Sequence, residues 1–69
     1  MSKITITING IDTIIDKGST LNDLIFQYQL DIKKIAIEID LIIIHRDNFS
    51  KTILTSGSKI EIVHFIGGG

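Results

Sequence analysis

Residues 3–16, KITITINGIDTIID, contain the pattern that decides the fold. Isoleucine alternates with threonine over residues 4–8, and a second run rich in β-branched residues spans residues 11–16. Between the two runs stands Asn9-Gly10, a dipeptide that favours a type I′ turn because both of its positions need a positive φ. The stretch therefore predicts a β-hairpin.

The residues after the hairpin predict one helix. Thr20 is expected to cap it, with Asp23 three residues later as its capping-box partner. The helix should extend from about Leu21 to Gln29, and its apolar residues recur at helical spacing: Leu21, Leu24, Ile25 and Tyr28. We expect this stripe to pack on a sheet lined by Ile4, Ile6, Ile37, Ile60 and Ile62.

The second half of the chain predicts further strands. Residues 35–40 alternate, with Ile35, Ile37 and Ile39 on one face. LIIIH at 41–45 is compatible with a short strand, and RDNFSK at 46–51 with a turn or a single helical turn. A turn at 56–58 precedes a last strand, KIEIVHFI. This order predicts an α+β fold: a β-grasp in which a mixed sheet of four to five strands carries one main helix on one face.

Composition limits the classes of function. The 69 residues suffice for one domain, and the absence of cysteine excludes disulfides and thiolate sites. A formal net charge of -1 lacks the basic excess that nucleic-acid binding requires. The longest apolar run has four residues, and the N-terminus shows no signal-peptide pattern. We expect a soluble protein, without membrane association or export, that is monomeric when free.

The polar residues do not assemble into an active site. Both histidines lack the closely spaced partners of a metal site, and the carboxylate pairs fall on alternating strands, where they face water. HRD at 45–47 mimics a kinase triplet, but the other kinase motifs are missing. Lys33-Lys34 is interpreted as part of a solvated loop, with docking of an acidic partner as the alternative. We expect no catalytic residue and no metal site; the residues considered are Asp12, Asp16, Glu38, Asp40, His45 and His64.

The chain closes on HFIGGG, which places three glycines directly after the last predicted strand. A frayed terminus is one interpretation. The other is a probe, since glycine can enter a slot where any Cβ would collide, and the tip bears the α-carboxylate of Gly69. Such a carboxylate can be activated as an acyl-adenylate and attacked by a nucleophile. We therefore divide the chain into a β-grasp domain, residues 1–66, and a flexible glycine tail, residues 67–69.

The whole chain resembles the ubiquitin-like sulfur carriers, and most closely the ThiS family of thiamin biosynthesis. The supporting segments are TLNDLI, IAIEID and ILTSGSKIEIV, and the specific one is IEIVHFIGGG at the terminus. One departure is Gly57-Ser58, where many family members have Gly-Asp. The absence of proline before the glycines distinguishes the chain from the related MoaD carriers of molybdopterin synthase, which remain the nearest alternative. A protein-tagging modifier and a binding module with an inert tail are further alternatives.

The resemblance implies that Gly69 is the modified residue. A ThiF-type adenylyltransferase would use ATP and magnesium to adenylate it, and a cysteine desulfurase route would supply sulfur for a thiocarboxylate. A ThiG-type thiazole synthase would then accept the sulfur, so the chain would be a cosubstrate that binds no cofactor itself. Gly67 and Gly68 would thread into the partner, and Val63, Phe65 and Ile66 would dock on it. The location would be the bacterial cytoplasm or the plastid stroma.

Overall fold

The two β-branched runs at the start of the chain form adjacent strands, as their alternation predicts. The computed structural model describes residues 2–65. Within these residues two short 3₁₀ helices, η1 and η2, accompany one α-helix and five strands. The elements are β1 (Lys3–Ile8), β2 (Ile11–Asp16), α1 (Leu21–Gln27), η1 (Ile32–Lys34), β3 (Ile35–Ile39), β4 (Ile42–Ile44), η2 (Arg46–Lys51) and β5 (Lys59–His64).

The five strands form one mixed sheet in the order β2-β1-β5-β3-β4. The last strand therefore lies in the middle, parallel to β1 on one side and antiparallel to β3 on the other. The two remaining pairs, β1 with β2 and β3 with β4, are antiparallel hairpins. This is the predicted α+β architecture, and residues 41–45 do contain a short strand.

Tight turns close both hairpins. Asn9 and Gly10 have φ values of 50° and 82°, so the predicted type I′ turn is confirmed. The turn between β3 and β4 also has two positive φ values, 51° at Asp40 and 71° at Leu41. Leucine is rare in this conformation, so no residue pattern predicts the second turn. Asp40, which was placed on the third strand, lies in that turn instead.

The start of helix α1 is confirmed, and its end is two residues earlier than predicted. The Thr20 hydroxyl accepts from the backbone N–H of Asp23 at 3.1 Å, and the Asp23 carboxylate accepts from the N–H of Thr20 at 2.9 Å. At the other end the N–H groups of Gln29 and Leu30 donate to the carbonyls of Phe26 and Ile25. These bonds form a Schellman motif, and Gln29, with φ 56°, stands where glycine is usual.

The core lies between α1, η2 and one face of the sheet. Most of the residues predicted to form the core are buried: Leu21, Leu24 and Ile25 on the helix, and Ile6, Ile37, Ile60 and Ile62 on the sheet. Ile4 is half-buried and packs at the margin of the core. The prediction for Tyr28 was wrong, because it caps the helix and is 45% exposed. Several buried residues were not predicted as core-forming: Ile8, Ile15, Ile35, Phe49 and Leu54.

The segment that sequence reasoning left open supplies part of this core. RDNFSK forms the 3₁₀ helix η2, from which Phe49 is buried. Leu54 follows on an extended stretch, and its N–H donates to the carbonyl of Ser19 at 2.9 Å. No helix within residues 2–65 is long and apolar enough to cross a membrane.

Candidate functional site

The site begins where β5 leaves the sheet, because this strand leads directly to the predicted tail. Side chains alternate along β5, so Ile60 and Ile62 are buried under the helix while Glu61 and Val63 lie on the opposite face. We call that opposite side, away from α1, the open face. Val63 is 52% exposed there, and its neighbour across the strands is Ala36, whose small side chain covers little of it.

Phe65 is held in place by the backbone although its ring is exposed. Its N–H donates to the carbonyl of Lys34 at 2.8 Å, which continues the pairing with β3 by one step beyond the strand. The ring is 59% exposed. The last described residue therefore has a fixed backbone and a free aromatic side chain, an arrangement suited to contact with another molecule.

Exposure alone does not single out Val63 and Phe65. Other large apolar side chains are at least as exposed, and single exposed apolar residues are normal on protein surfaces. The others are distributed over the hairpins, the helix and the loops: Ile11, Ile14, Phe26, Leu41, Ile42, Ile43 and Ile53. What distinguishes Val63 and Phe65 is their position immediately before residues 66–69.

A shallow groove of ≈ 270 Å³ lies beside Phe65, between η1, β3, β4 and η2. Apolar side chains such as Ile32 and Ile43 line it together with Lys33 and Arg46. Lys33 and its neighbour Lys34 lie in η1, not in the loop that the sequence suggested. Within residues 2–65 neither lysine nor Arg46 forms an ion pair, so this end of the molecule presents free cations.

The carboxylates and histidines do not assemble into a reaction centre. The Asp16 carboxylate pairs with the Lys3 ammonium group on the open face. His45 Nδ1 lies 3.5 Å from Asp47 Oδ2. His45 also accepts from the N–H of Asp47 and so caps η2. Glu38 and Glu61 are neighbours across the strands, whereas Asp40 is in the turn. Among the described residues, no group of three His, Cys, Asp or Glu side chains could hold a metal ion.

The described residues therefore include only part of the predicted site. Val63 and Phe65 lie together at the exit of β5, whereas Ile66 and the tail residues Gly67, Gly68 and Gly69 lie outside the described residues. Sequence reasoning missed the cationic groove, since Lys33 and Arg46 are far apart in the chain. It also interpreted Asn9 as a turn residue alone, although its amide contacts β5.

Comparison with known proteins identifies the family. The family model described as "ThiS family" matches residues 6–69. The sulfur carrier protein ThiS of Bacillus subtilis is 38% identical over 63 residues, which are 90% of this chain and 96% of that protein. The crystal structure of a thiamine biosynthesis protein (ThiS) from Geobacter metallireducens has a TM-score of 0.82 at 22% identity, covering 96% of this chain and all of that one. The last match shows that the fold is shared.

A second kind of relative is much longer. The thiazole synthases of Paramagnetospirillum magneticum and Magnetococcus marinus are each 33% identical over 64 residues, which are 93% of this chain. The chain spans only 20% of their length, so each of these synthases contains a segment similar to it. Together, the family-model match and the Bacillus relative show that the chain belongs to the ThiS family.

Proposed function

We propose that this chain carries sulfur as a thiocarboxylate on the C-terminal carbon of Gly69. The observation that supports this most is the family match, which extends over the terminal glycines to residue 69. The described structure is consistent with such a role, because β5 ends at His64, directly before the segment that contains the glycines. The chain is then a cosubstrate of partner enzymes, in line with the carrier role named for its Bacillus relative.

The chemistry takes place in two transfers and one reduction. A carboxylate oxygen of Gly69 attacks the α-phosphorus of ATP in a ThiF-type adenylyltransferase, with magnesium on the nucleotide, and pyrophosphate leaves. The terminal sulfur of a desulfurase-derived persulfide then attacks the acyl carbon, and AMP leaves with the carboxylate oxygen. A thiol reductant cleaves the S–S bond of the resulting acyl disulfide, which leaves the thiocarboxylate on Gly69 and oxidises the thiol to a disulfide. The product differs from the starting chain by one sulfur in place of one oxygen.

The tail has the dimensions that this reaction needs. Four residues in extended conformation span at most ~13–14 Å, so residues 66–69 can reach from the sheet into a partner's active site. Glycine at the last three positions removes every Cβ from the part that must pass through a narrow channel. The rest of the domain can then remain outside and dock on the partner's surface.

Docking is assigned to the exposed apolar residues at the exit of β5. Val63 and Phe65 are exposed and adjacent to the tail, and aromatic side chains at the centre of an interface account for much of its binding energy. Ile66 extends this patch in the proposal. A partner surface that meets Phe65 also meets the free cations Lys33 and Arg46, so acidic residues around an apolar centre are its expected complement.

We assign a thiazole synthase of the ThiG type as the acceptor of the sulfur. The support is the segment similar to this chain within two thiazole synthases. A carrier fused to the enzyme that it serves is held at a high effective concentration, so fusion indicates a functional pairing of the two proteins. On this proposal the separate chain reaches the synthase by diffusion, whereas the fused segment is already attached to it.

The test is reconstitution followed by intact-mass analysis. The chain is incubated with ATP, magnesium, a ThiF-type adenylyltransferase, a desulfurase with cysteine, and a thiol reductant. The mass of the untreated chain first confirms that Gly69 is the terminus. The expected product has one oxygen replaced by sulfur, and tandem mass spectrometry should place the change on Gly69. An extended variant with one alanine after Gly69 is the matched control and should stay unmodified. An unmodified parent, or modification of the extended variant, would contradict the proposal.

A further inference from the structure

Strand β5 is supported unequally on its two sides near its end. On the β3 side pairing continues through Val63 and His64 to Phe65. On the β1 side the ladder stops early, because the chain turns away at Asn9-Gly10. The final residues of β5 therefore have a backbone neighbour on one side only.

The side chain of Asn9 supplies the missing rung. The N–H groups of Thr7 and Asn9 donate to the carbonyls of Ser58 and Ile60 at 2.9 and 2.8 Å, in the regular order of a parallel ladder. The next rung would join β5 at Ile62. There the Asn9 side-chain oxygen accepts from the Ile62 N–H at 2.7 Å, and its side-chain NH₂ donates to the Ile62 carbonyl at 3.3 Å. The amide thus stands in for the peptide unit that a longer β1 would offer.

This contact explains why asparagine suits the position better than other turn residues. Asparagine tolerates the left-handed conformation at φ 50°, as glycine does. Unlike glycine, it presents both a hydrogen-bond acceptor and a donor on one planar group. One residue therefore reverses the chain and holds the neighbouring strand.

We propose that Asn9 is a positioning residue for the tail: its amide fixes the backbone of Ile62, and with it the end of β5 from which the tail starts. This inference rests on the proposed function, in which Gly69 must arrive at a partner's active site. Ile62 lies three residues before Phe65, so a change in its backbone moves the end of β5, from which the tail starts. A displacement of ~1 Å can cost ~100-fold in a positioned reaction.

The opposite end of β5 offers a matched control. Asp40 also occupies the first position of a tight turn, with φ 51°, and its carboxylate accepts from the N–H of Lys59 at 3.0 Å. Its own N–H donates to the Lys59 carbonyl at 2.9 Å. Asp40 and Asn9 therefore make comparable contacts with β5, but Asp40 does so at the end remote from the tail.

The experiment compares Asn9→Gly and Asp40→Gly with the parent chain. Glycine keeps both turns, so each variant loses side-chain bonds to β5 without losing its hairpin. Amide hydrogen exchange is measured at Lys59, Ile62, Val63 and Phe65, and adenylation by a ThiF-type enzyme gives kcat and KM. Asn9→Asp is a further variant, since it keeps the acceptor for the Ile62 N–H and loses the donor.

Asn9→Gly should accelerate amide exchange at Ile62. It should lower kcat about tenfold, which is less than the loss that ~1 Å of misplacement can cause, and leave KM within about twofold of the parent value. Asp40→Gly should accelerate exchange at Lys59 and leave kcat unchanged, and Asn9→Asp should fall between the parent and Asn9→Gly. Unchanged exchange at Ile62 in Asn9→Gly would overturn the contact. Equal kcat values for the two glycine variants would overturn the positioning role. If the parent is not adenylated, the proposed function fails, and exchange at Ile62, Val63 and Phe65 decides whether Asn9 holds the strand.

Discussion

The two faces of the sheet use the same strands for different purposes. On the helix side most strand positions are isoleucines, and those at the centre of the sheet, Ile6, Ile37 and Ile60, are each at most 1% exposed. On the open face the same strands present Thr5, Glu61 and other polar residues, and the apolar exceptions, such as Val63, remain accessible. One face therefore contributes to stability, and the other is available for contact.

The difference in burial predicts which residues can be substituted without loss of the fold. A domain of 69 residues has little stability in reserve, so its helix side tolerates few changes. The open face contributes little buried area, and exposed apolar groups there have no role in packing. Substitutions on the two faces should consequently separate stability from partner binding.

The largest effect is expected on the helix side, from Leu24→Ala. Leu24 is 2% exposed between the helix and the sheet, and truncating a buried leucine costs ~2–5 kcal/mol of the free energy of unfolding. Phe26→Ala on the same helix is the control, because Phe26 is 85% exposed and should change stability by less than ~0.5 kcal/mol. Chemical denaturation measures both. Similar values for the two variants would show that the helix faces are assigned incorrectly.

The next effect is expected on the open face, from Phe65→Ala, and in binding rather than stability. Loss of an aromatic anchor should weaken the complex with the adenylyltransferase by ~2 kcal/mol, about thirtyfold in Kd, with unfolding nearly unchanged. Ile14→Ala is the control, since Ile14 is an exposed apolar residue on β2, the edge strand that is separated from β5 by β1. Titration calorimetry should detect weaker binding only for Phe65→Ala. A parallel loss of stability would mean that Phe65 serves the fold instead.

The smallest effect is expected at an apolar residue whose removal improves stability. Leu41 is 87% exposed with φ 71°, a conformation that costs a non-glycine residue roughly 1–2 kcal/mol. Leu41→Gly removes this strain and adds chain entropy to the unfolded state, so we expect a net gain of ~0.5 kcal/mol. Leu41→Ala keeps the Cβ and should show no gain. Denaturation that places Leu41→Gly below Leu41→Ala would refute the strain argument.

Sequence reasoning predicted the fold well where local patterns and long-range packing agree. Alternation located the strands, and the Thr20 and Asp23 pair located the helix start. It failed for Tyr28, since helical spacing continues past the point where backbone bonds end the helix. It left Phe49 unassigned, because one buried side chain on a short 3₁₀ helix has no periodicity to detect.

Sequence patterns predict the exposed residues of the candidate site but not the contacts around them. Val63 and Phe65 follow from the alternation of β5 and their place before the glycines. The contact between Asn9 and Ile62 joins residues 53 positions apart, so only the folded sheet reveals it. The groove beside Phe65 likewise depends on how η1 and η2 meet the sheet. Local sequence therefore predicts which residues are exposed, and tertiary structure determines what surrounds them.

The most direct test of the account is pyrophosphate release from a chain that lacks Gly69. The domain folds through its helix side, whereas on the proposed function the terminus reacts in a partner's active site. Deleting Gly69 shortens the reach by ~3.3–3.6 Å and removes no described contact. We predict an unchanged thermal unfolding midpoint and pyrophosphate release reduced by at least ~100-fold with a ThiF-type enzyme, ATP and magnesium. Release at the parental rate would contradict the account.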